Sequence, residues 1–348
     1  MPREEVLDPV PTEEEVSLQD ELRPRRLTDF VGQEEMKERL RIMITAAQQR
    51  GQPLDHLLFA GPPGLGKTTL SHIISREMEA TCHVTAGPAL ERIGDLAAIL
   101  TRLETGDVLF IDELHRLPRA LEEVLYPAME DFRVDIVLGK GPGARILALE
   151  VAPFTLVAAT TRTSLITSPL RDRFGLAERL DYYNEEELCQ IVVRAAGILG
   201  VSIEDDASME VAKRSRGTPR IANRLLRRVR DYAQTEGSNL ITPDLAHAGL
   251  ATFGVDTRGL DKLDRSILTA LCVNFAGQPV GLTTLAISVS EPPETVEEVY
   301  EPFLIQQGFL KRTPKGRVAT LEAWAHLGIQ PPNLSSHPTN GQASSNNI

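Results

Sequence analysis

The sequence predicts an α/β protein: a doubly wound parallel sheet, then a purely helical unit, then three helices closed by a β-hairpin. Three observations lead there. Short apolar runs, "HLLFA", "DVLFID" and "FTLVAAT", are bounded by turn residues and separated by helical stretches over about residues 20–183. From Asn184 to about Gly254 only helical periodicity remains. After Asp256, helix-like segments lead into two short β-prone runs around "TPKG".

Each element has its own signal. "QEEMKERLRIMITAAQQRG" sets Met36, Leu40, Met43, Ile44 and Ala47 on one helical face and stops at Gly51. The three apolar runs lack polar alternation, as strands buried on both faces do. "FRVDIVLGKGPGARILALEV" (132–151) reads as a hairpin around the Gly/Pro turn 139–143. "NEEELCQIVVRAAGILG" opens with the cap Asn184 and three glutamates at the positive end of a helix dipole. Thr218 and Pro219 then open "PRIANRLLRRVRDYAQ", a cap followed by proline at the first helical position. "DKLDRSILTALCVNFAG", "TTLAISVS" and "ETVEEVYEPFLIQQGFL" read as three helices before the hairpin, which is the order of a winged helix. The expected domains are 21–183, 184–255 and 256–330. The acidic, proline-spaced segment 1–20 and the Pro/Ser/Asn-rich tail 331–348 are expected to be disordered.

At 348 residues the chain is long enough for two or three cores. No run of about 18 apolar residues exists, so no membrane span is expected. The N-terminus lacks a hydrophobic run, so no signal peptide is expected. Cys82, Cys189 and Cys272 lie far apart and match no zinc or redox spacing, which suits a reducing cytoplasm. The net charge of −12 argues against nucleic acid until its distribution is considered. Residues 213–230 carry eight bases and no acid, and "KRTPKGR" (311–317) carries four bases.

"GPPGLGKTT" (61–69) carries the strongest chemistry. Gly61, Gly66, Lys67 and Thr68 fit a phosphate-binding loop between an apolar strand and a helix, with Gly64 and Thr69 in the same run. Glycines let the backbone wrap a phosphate, and the helix N-terminus adds aligned N–H donors. Lys67 would reach the β- and γ-phosphates of ATP, and the Thr68 hydroxyl would hold Mg2+. "VLFIDE" (108–113) delivers acids at the end of a buried strand. Asp112 would complete the metal shell and Glu113 would polarise the attacking water. Arg171 and Arg173 in "SPLRDRFG" read either as a surface salt cluster with Asp172 or as groups aimed at an anion.

"GPPGLGKTT", "VLFIDELHRL", "AATTR", "SPLRDRFG" and "GTPRIANRLLRRVRD", in this order, resemble the AAA+ ATPases. Among these, they resemble the RuvB family of Holliday junction branch-migration motors, from about Leu22 to Gln330. The resemblance implies an AAA+ ATPase domain with a helical lid and a C-terminal winged helix. By it, Leu22, Arg23 and the "DFVGQ" segment contact adenine, and Tyr183 lies near the nucleotide where the ATPase lobes join. Glu130, Asp131 and Phe132 form another nucleotide-adjacent stretch. Thr161 matches a polar sensor of the γ-phosphate, although a strand-end threonine bonding backbone is an equal reading of the residue itself. Arg220 matches the lid sensor. Arg173 matches the arginine finger that reaches a neighbouring subunit's γ-phosphate; Arg171 stays unassigned. Arg224 and Arg227 share the helical face of Arg220 and are expected on a solvated face.

In the third unit the last helix carries Glu294, Glu297, Glu298 and Glu301 and no base, so phosphates would repel it. The bases Lys311, Arg312, Lys315 and Arg317 lie in the hairpin. The wing is therefore expected to touch DNA through phosphates without reading sequence, and the resemblance places DNA contact at Arg312 and Arg317. The family's 132–151 hairpin docks on the junction-binding protein RuvA, with Leu147 and Leu149 as candidates; the open alternative is packing on this chain's own core. The leading expectation is a hexameric ring pulling duplex DNA at Holliday junctions, alongside RuvA and the resolvase RuvC. A clamp loader, a replication initiator or a nucleotide-gated winged-helix switch are the alternatives. Glu113 and Arg173 favour the motor, since a switch needs neither fast hydrolysis nor a finger in trans.

Overall fold

A computed structural model describes residues 21–138 and 145–331. The expectations for segment 1–20, the turn at 139–143 and the tail from 332 fall outside the described residues. The chain divides into two compact units, one ending at Gly259 and one beginning at Leu260.

The first unit is built on a five-stranded parallel sheet. Its strands are β1 (Leu57–Ala60), β2 (Cys82–Ala86), β3 (Val108–Asp112), β6 (Thr155–Thr160) and β7 (Leu176–Arg179), in the order β2-β3-β6-β1-β7. The two-residue period of a strand decides which core each side chain joins. Leu57, Phe59, Val108, Phe110 and Val157 point into one core, which continues among the helices after Asn184. Leu58, Leu109, Ile111, Leu156 and Ala158 point into the other. A sheet so covered on both faces needs buried, mainly apolar residues along its central strands, which β1, β3 and β6 have, with polar residues only at the ends of β3 and β6. Truncating Phe59 to alanine would open a cavity costing about 3–5 kcal/mol.

Helix α1 (Glu34–Arg50) stops where expected, with Gly51 at φ 63°, and α2 (Lys67–Glu77) is the helix expected after the glycine loop. Helix α3 (Ile93–Leu100) and helix α4 (Arg119–Glu130) pack on the second core. Strands β4 (Arg133–Leu138) and β5 (Arg145–Glu150) form the antiparallel hairpin, with Ile136 opposite Leu147 and Val134 opposite Leu149. A short helix, α5 (Ser168–Arg171), precedes β7.

The lid consists of α6 (Glu185–Ile198), α7 (Asp205–Lys213), α8 (Pro219–Thr235) and α9 (Pro243–Thr252), plus a two-residue pairing of β8 (Ser202–Ile203) with β9 (Leu240–Ile241). Asn184 caps α6 as expected: its side chain accepts from the Glu187 N–H at 2.8 Å, and Glu187 accepts from the Asn184 N–H at 2.9 Å. The charge-run reading of α8 fails. Arg224 and Arg227 are 3% and 8% exposed, because α8 also buries Ala222, Leu225, Leu226, Val229 and Ala233 and so has almost no solvent face.

The second unit is a winged helix. Helix α10 (Lys262–Thr269) runs on through Asn274, and α11 is Leu282–Ser288. The third helical run passes through Pro293–Thr295, Val296–Tyr300 and Glu301–Gln306. Strands β10 (Leu310–Thr313) and β11 (Gly316–Ala319) pair around "TPKG", and Val280 adds a bridge to Arg317. Its core gathers Leu271, Leu285, Tyr300, Leu304, Phe309 and Trp324.

Candidate nucleotide site

The glycine loop joins β1 to α2 at the carboxyl end of the sheet, where open parallel sheets place their ligand crevices. Gly64 and Gly66 take φ values of 84° and 102°, which side chains rarely adopt. A Cβ on Gly66 would lie 3.0 Å from the Phe30 ring, and one on Gly64 would lie 3.0 Å from Arg220 Cβ. The loop is thus a bare-backbone cradle with a wall on either side.

Lys67 lies inside that cradle. It is 6% exposed, and its ammonium donates to the carbonyls of Gly61 at 2.7 Å and Pro62 at 2.8 Å. Burial pushes its pKa down to about 8, against the raising influence of Asp112 and Glu113; Arg220 lowers it further. A buried cation in a bare-backbone loop at a helix N-terminus suits a phosphate. Asp112 ends β3 and accepts the Glu113 N–H through Oδ1 at 2.9 Å. Thr68 and Asp112 line the same cleft, which suits Mg2+, a cation usually held by one or two protein oxygens plus phosphates and water.

Glu113 takes φ 49°, an uncommon conformation for a non-glycine residue. Gly87 lies against it, and a Cβ there would approach Glu113 O to 2.5 Å. The Thr161 hydroxyl donates to Glu113 Oε2 at 3.2 Å.

The structure brings most of the expected residues into one cleft. Leu22, Arg23, Gly64, Gly66, Thr68 and Thr69 line it with Tyr183, Arg220 and the acids. The Tyr183 hydroxyl donates to Leu65 O at 3.2 Å, and burial raises its pKa. Its N–H donates to Gly217 O at 2.9 Å, tying the end of the sheet domain to the lid. The Arg220 N–H donates to Gly64 O at 3.3 Å, so the lid helix α8 begins directly on the glycine loop. Ile191, Arg194 and Asn223 also line the cleft and were missed by sequence reasoning. Arg194 donates to Leu22 O at 2.9 Å; only its place on α6 could have signalled it.

Glu130, Asp131 and Phe132, the expected nucleotide-adjacent stretch, are not among the residues lining this cleft. Glu130 instead pairs with Arg173 at 3.0 Å, and Phe132 packs edge-on against Phe154. Arg173 is likewise not in the cleft lining, and Arg171 is exposed.

The expected partner face divides. Leu149 is half-buried against the second core, while Leu147 is 43% exposed. On the wing, Arg312 donates to Glu301 Oε2 at 2.9 Å and to Glu297 Oε1 at 3.0 Å. Arg317 donates to Glu301 Oε2 at 3.1 Å. Two of the four acids that made the third helix look repulsive, Glu297 and Glu301, are therefore partners of the wing arginines, and Glu301 is buried.

Three family descriptions match the chain in sequence: "Holliday junction DNA helicase RuvB P-loop domain" at 22–180, "RuvB AAA lid domain" at 183–256 and "RuvB C-terminal winged helix domain" at 257–328. A Holliday junction branch migration complex subunit RuvB from Rhodococcus erythropolis is 59% identical over 311 residues, covering 89% of this chain and 85% of the relative. Its counterpart from Thermobifida fusca is 56% identical over 328 residues, covering 94% and 93%. The solved structure of the Thermotoga maritima RuvB Holliday junction branch migration motor matches with a TM-score of 0.82 at 50% identity. That match covers 90% of this chain and 100% of the other.

Proposed function

The chain belongs to the RuvB family, and from that premise we propose that it hydrolyses ATP in an oligomeric ring to drive branch migration of Holliday junctions. The observation that carries this is the Lys67 ammonium, buried in the glycine cradle beside Asp112, Glu113 and Arg220.

The Gly61–Thr69 loop holds the phosphates of ATP, and Lys67 exchanges its two carbonyl partners for phosphate oxygens. Thr68 and Asp112 hold Mg2+, which neutralises charge on the phosphates when bound. Glu113 orients the attacking water and takes its proton, with Thr161 fixing the carboxylate. Arg220 senses the γ-phosphate from the lid. Arg173 acts in trans on the neighbouring subunit's nucleotide, so hydrolysis needs assembly, with a hexamer as the expected ring. Leu22, Arg23 and Tyr183 border the base.

Arg312 and Arg317 contact duplex phosphates without sequence readout. Leu147 is the exposed apolar residue offered to the junction-binding protein RuvA, and the resolvase RuvC works on the same junction. No helix among the described residues is long and apolar enough to cross a membrane, and the cytoplasm, where the chromosome lies, is the proposed location.

Two variants test this reading. Lys67→Ala is expected to lose both ATP binding and hydrolysis, and Glu113→Gln to bind ATP without hydrolysing it. Retained turnover in both removes the proposed site.

A further inference from the structure

We infer that His115 is a positioning residue for Glu113, gripping the hydrolytic carboxylate from the protein interior; this rests on the reading of Glu113 just given. His115 follows Glu113 in the short turn Leu114–Arg116, and its side chain is 6% exposed. Its Nδ1 lies 3.0 Å from the Thr160 hydroxyl and 3.2 Å from Glu113 Oε2. Thr160 is fully buried at the end of β6, and its hydroxyl accepts the Arg162 N–H at 3.0 Å. The next residue, Thr161, donates its hydroxyl to the same Oε2 at 3.2 Å.

Two groups thus meet one carboxylate oxygen: the Thr161 hydroxyl, and His115 Nδ1, whose proton is shared with the Thr160 hydroxyl oxygen. One hydroxyl fixes the distance of a carboxylate but leaves it free to swing. A second contact restricts that swing, and because both fall on Oε2, Oε1 is left to accept from water. The backbone beneath is already held, since Glu113 takes φ 49° against Gly87. Positioning matters here because a misplacement of about 1 Å at a reacting group can cost about 100-fold in rate. The role requires the ring proton on Nδ1, directed at the carboxylate. A histidine that merely filled the core would be satisfied by Thr160 alone.

The test uses the full chain, assembled on duplex DNA, with steady-state ATP hydrolysis, ATP affinity and thermal midpoint measured for each variant. His115→Ala and His115→Gln, which remove or displace the donor, are expected to lower kcat about 10- to 100-fold. KM and Kd for ATP should stay within about twofold, since His115 is not among the residues lining the cleft. His115→Asn places an amide N–H near the Nδ1 position and is expected to recover most of the loss. Equal kcat in the Ala and Asn variants, or a loss confined to KM, overturns the proposal. So does a kcat loss that tracks a fall in thermal midpoint across all three. A wild-type chain that does not hydrolyse ATP would instead bring down the function on which the proposal rests.

Discussion

The Arg173 guanidinium is held by Glu130: Nη2 donates to Glu130 Oε2 at 3.0 Å, while Nη1 donates to Pro169 O at 2.6 Å. The same group lies 4.6 Å above the Tyr126 ring, and the Tyr126 hydroxyl donates to Glu122 at 3.2 Å. A long, flexible side chain is thus ordered before any partner arrives, which reduces the entropy lost when it meets a phosphate. The pair itself is half-exposed and contributes under about 1 kcal/mol to stability. Its value lies in direction.

Arg173 is folded onto α4 and is not among the residues lining the chain's own cleft, which suits the proposed role on another subunit's nucleotide. Arg173→Ala is expected to lower ATP turnover by about 10³-fold, the scale of a finger acting in trans. Chains carrying Arg173→Ala supply an intact glycine loop, and chains carrying Lys67→Ala supply an intact finger. Mixing the two inactive proteins should therefore restore activity at the junctions where the intact halves meet. Turnover measured across mixing ratios checks this; mixtures as inactive as their parents would refute action in trans.

Lys67 gives a prediction about protons. Burial holds its pKa at about 8. Nucleotide phosphates replace two neutral carbonyls with negative charge and must raise that pKa. Above pH 8, ATP binding should therefore take up a proton, and affinity should fall as pH rises, by up to about tenfold per unit. Calorimetric titration at pH 8.5 in buffers of different ionisation enthalpy reads the uptake directly. The sign for stability is opposite. The unfolded lysine keeps its proton up to its ordinary 10.5, so between about pH 8 and 10.5 the unfolded state binds more protons. In that window this residue's contribution to the stability of the ligand-free protein rises with pH.

How much of this was legible depended on sequence distance. The central strands announced themselves because both their faces are buried. The edge strands β2, "CHVTA", and β7, "LAER", did not, since an edge tolerates polar residues and neither run looks apolar. The glycine loop, Asp112 and Glu113 are local motifs whose chemistry is written in spacing. Glu130 and Arg173 are 43 residues apart, and His115 and Thr160 are 45 apart, so only the fold could pair them. Arg224 and Arg227 were misread for a related reason. Charge on a helix signals solvent only when the helix has a solvent face, and α8 lies among α6, α7 and α9.

The lid buries a further arginine. Arg214 donates to Glu210, to the Val255 carbonyl at 3.3 Å, and lies 2.9 Å from His247 Nδ1. Gly259, at φ 74°, passes so close that a Cβ would come within 2.9 Å of Arg214 O. Removing the guanidinium leaves the half-buried Glu210 carboxylate and the Val255 carbonyl without their partner. Arg214→Ala is expected to destabilise the first unit by about 3 kcal/mol. Denaturant unfolding followed by a probe in that unit checks it. A change below about 1 kcal/mol would mean that water replaces the guanidinium freely.

The wing gives the sharpest separation of charge from structure. Arg312 and Arg317 share Glu301, but their side chains are 51% and 14% exposed. Burial raises the Glu301 pKa, yet the hydrogen bonds from Arg312 and Arg317 outweigh it and the net shift is downward. Its stabilising contribution is therefore present above the ordinary carboxylate pKa and lost as pH falls through the lowered one. Backbone bonds between Arg317 and Val280, at 2.7 and 2.9 Å, fix Arg317 further. Arg312→Ala should reduce the salt slope of duplex binding by about 0.9 with little loss of stability. Arg317→Ala should weaken the slope less and cost more stability, because it strands part of a buried carboxylate. Glu297→Gln removes an acid that competes with phosphate for Arg312 and should steepen the slope, by less than the Arg312→Ala variant flattens it. DNA affinity at several salt concentrations, with a thermal midpoint for each variant, distinguishes these outcomes. If all three variants keep the wild-type slope, the duplex is held elsewhere and the wing arginines serve only Glu301.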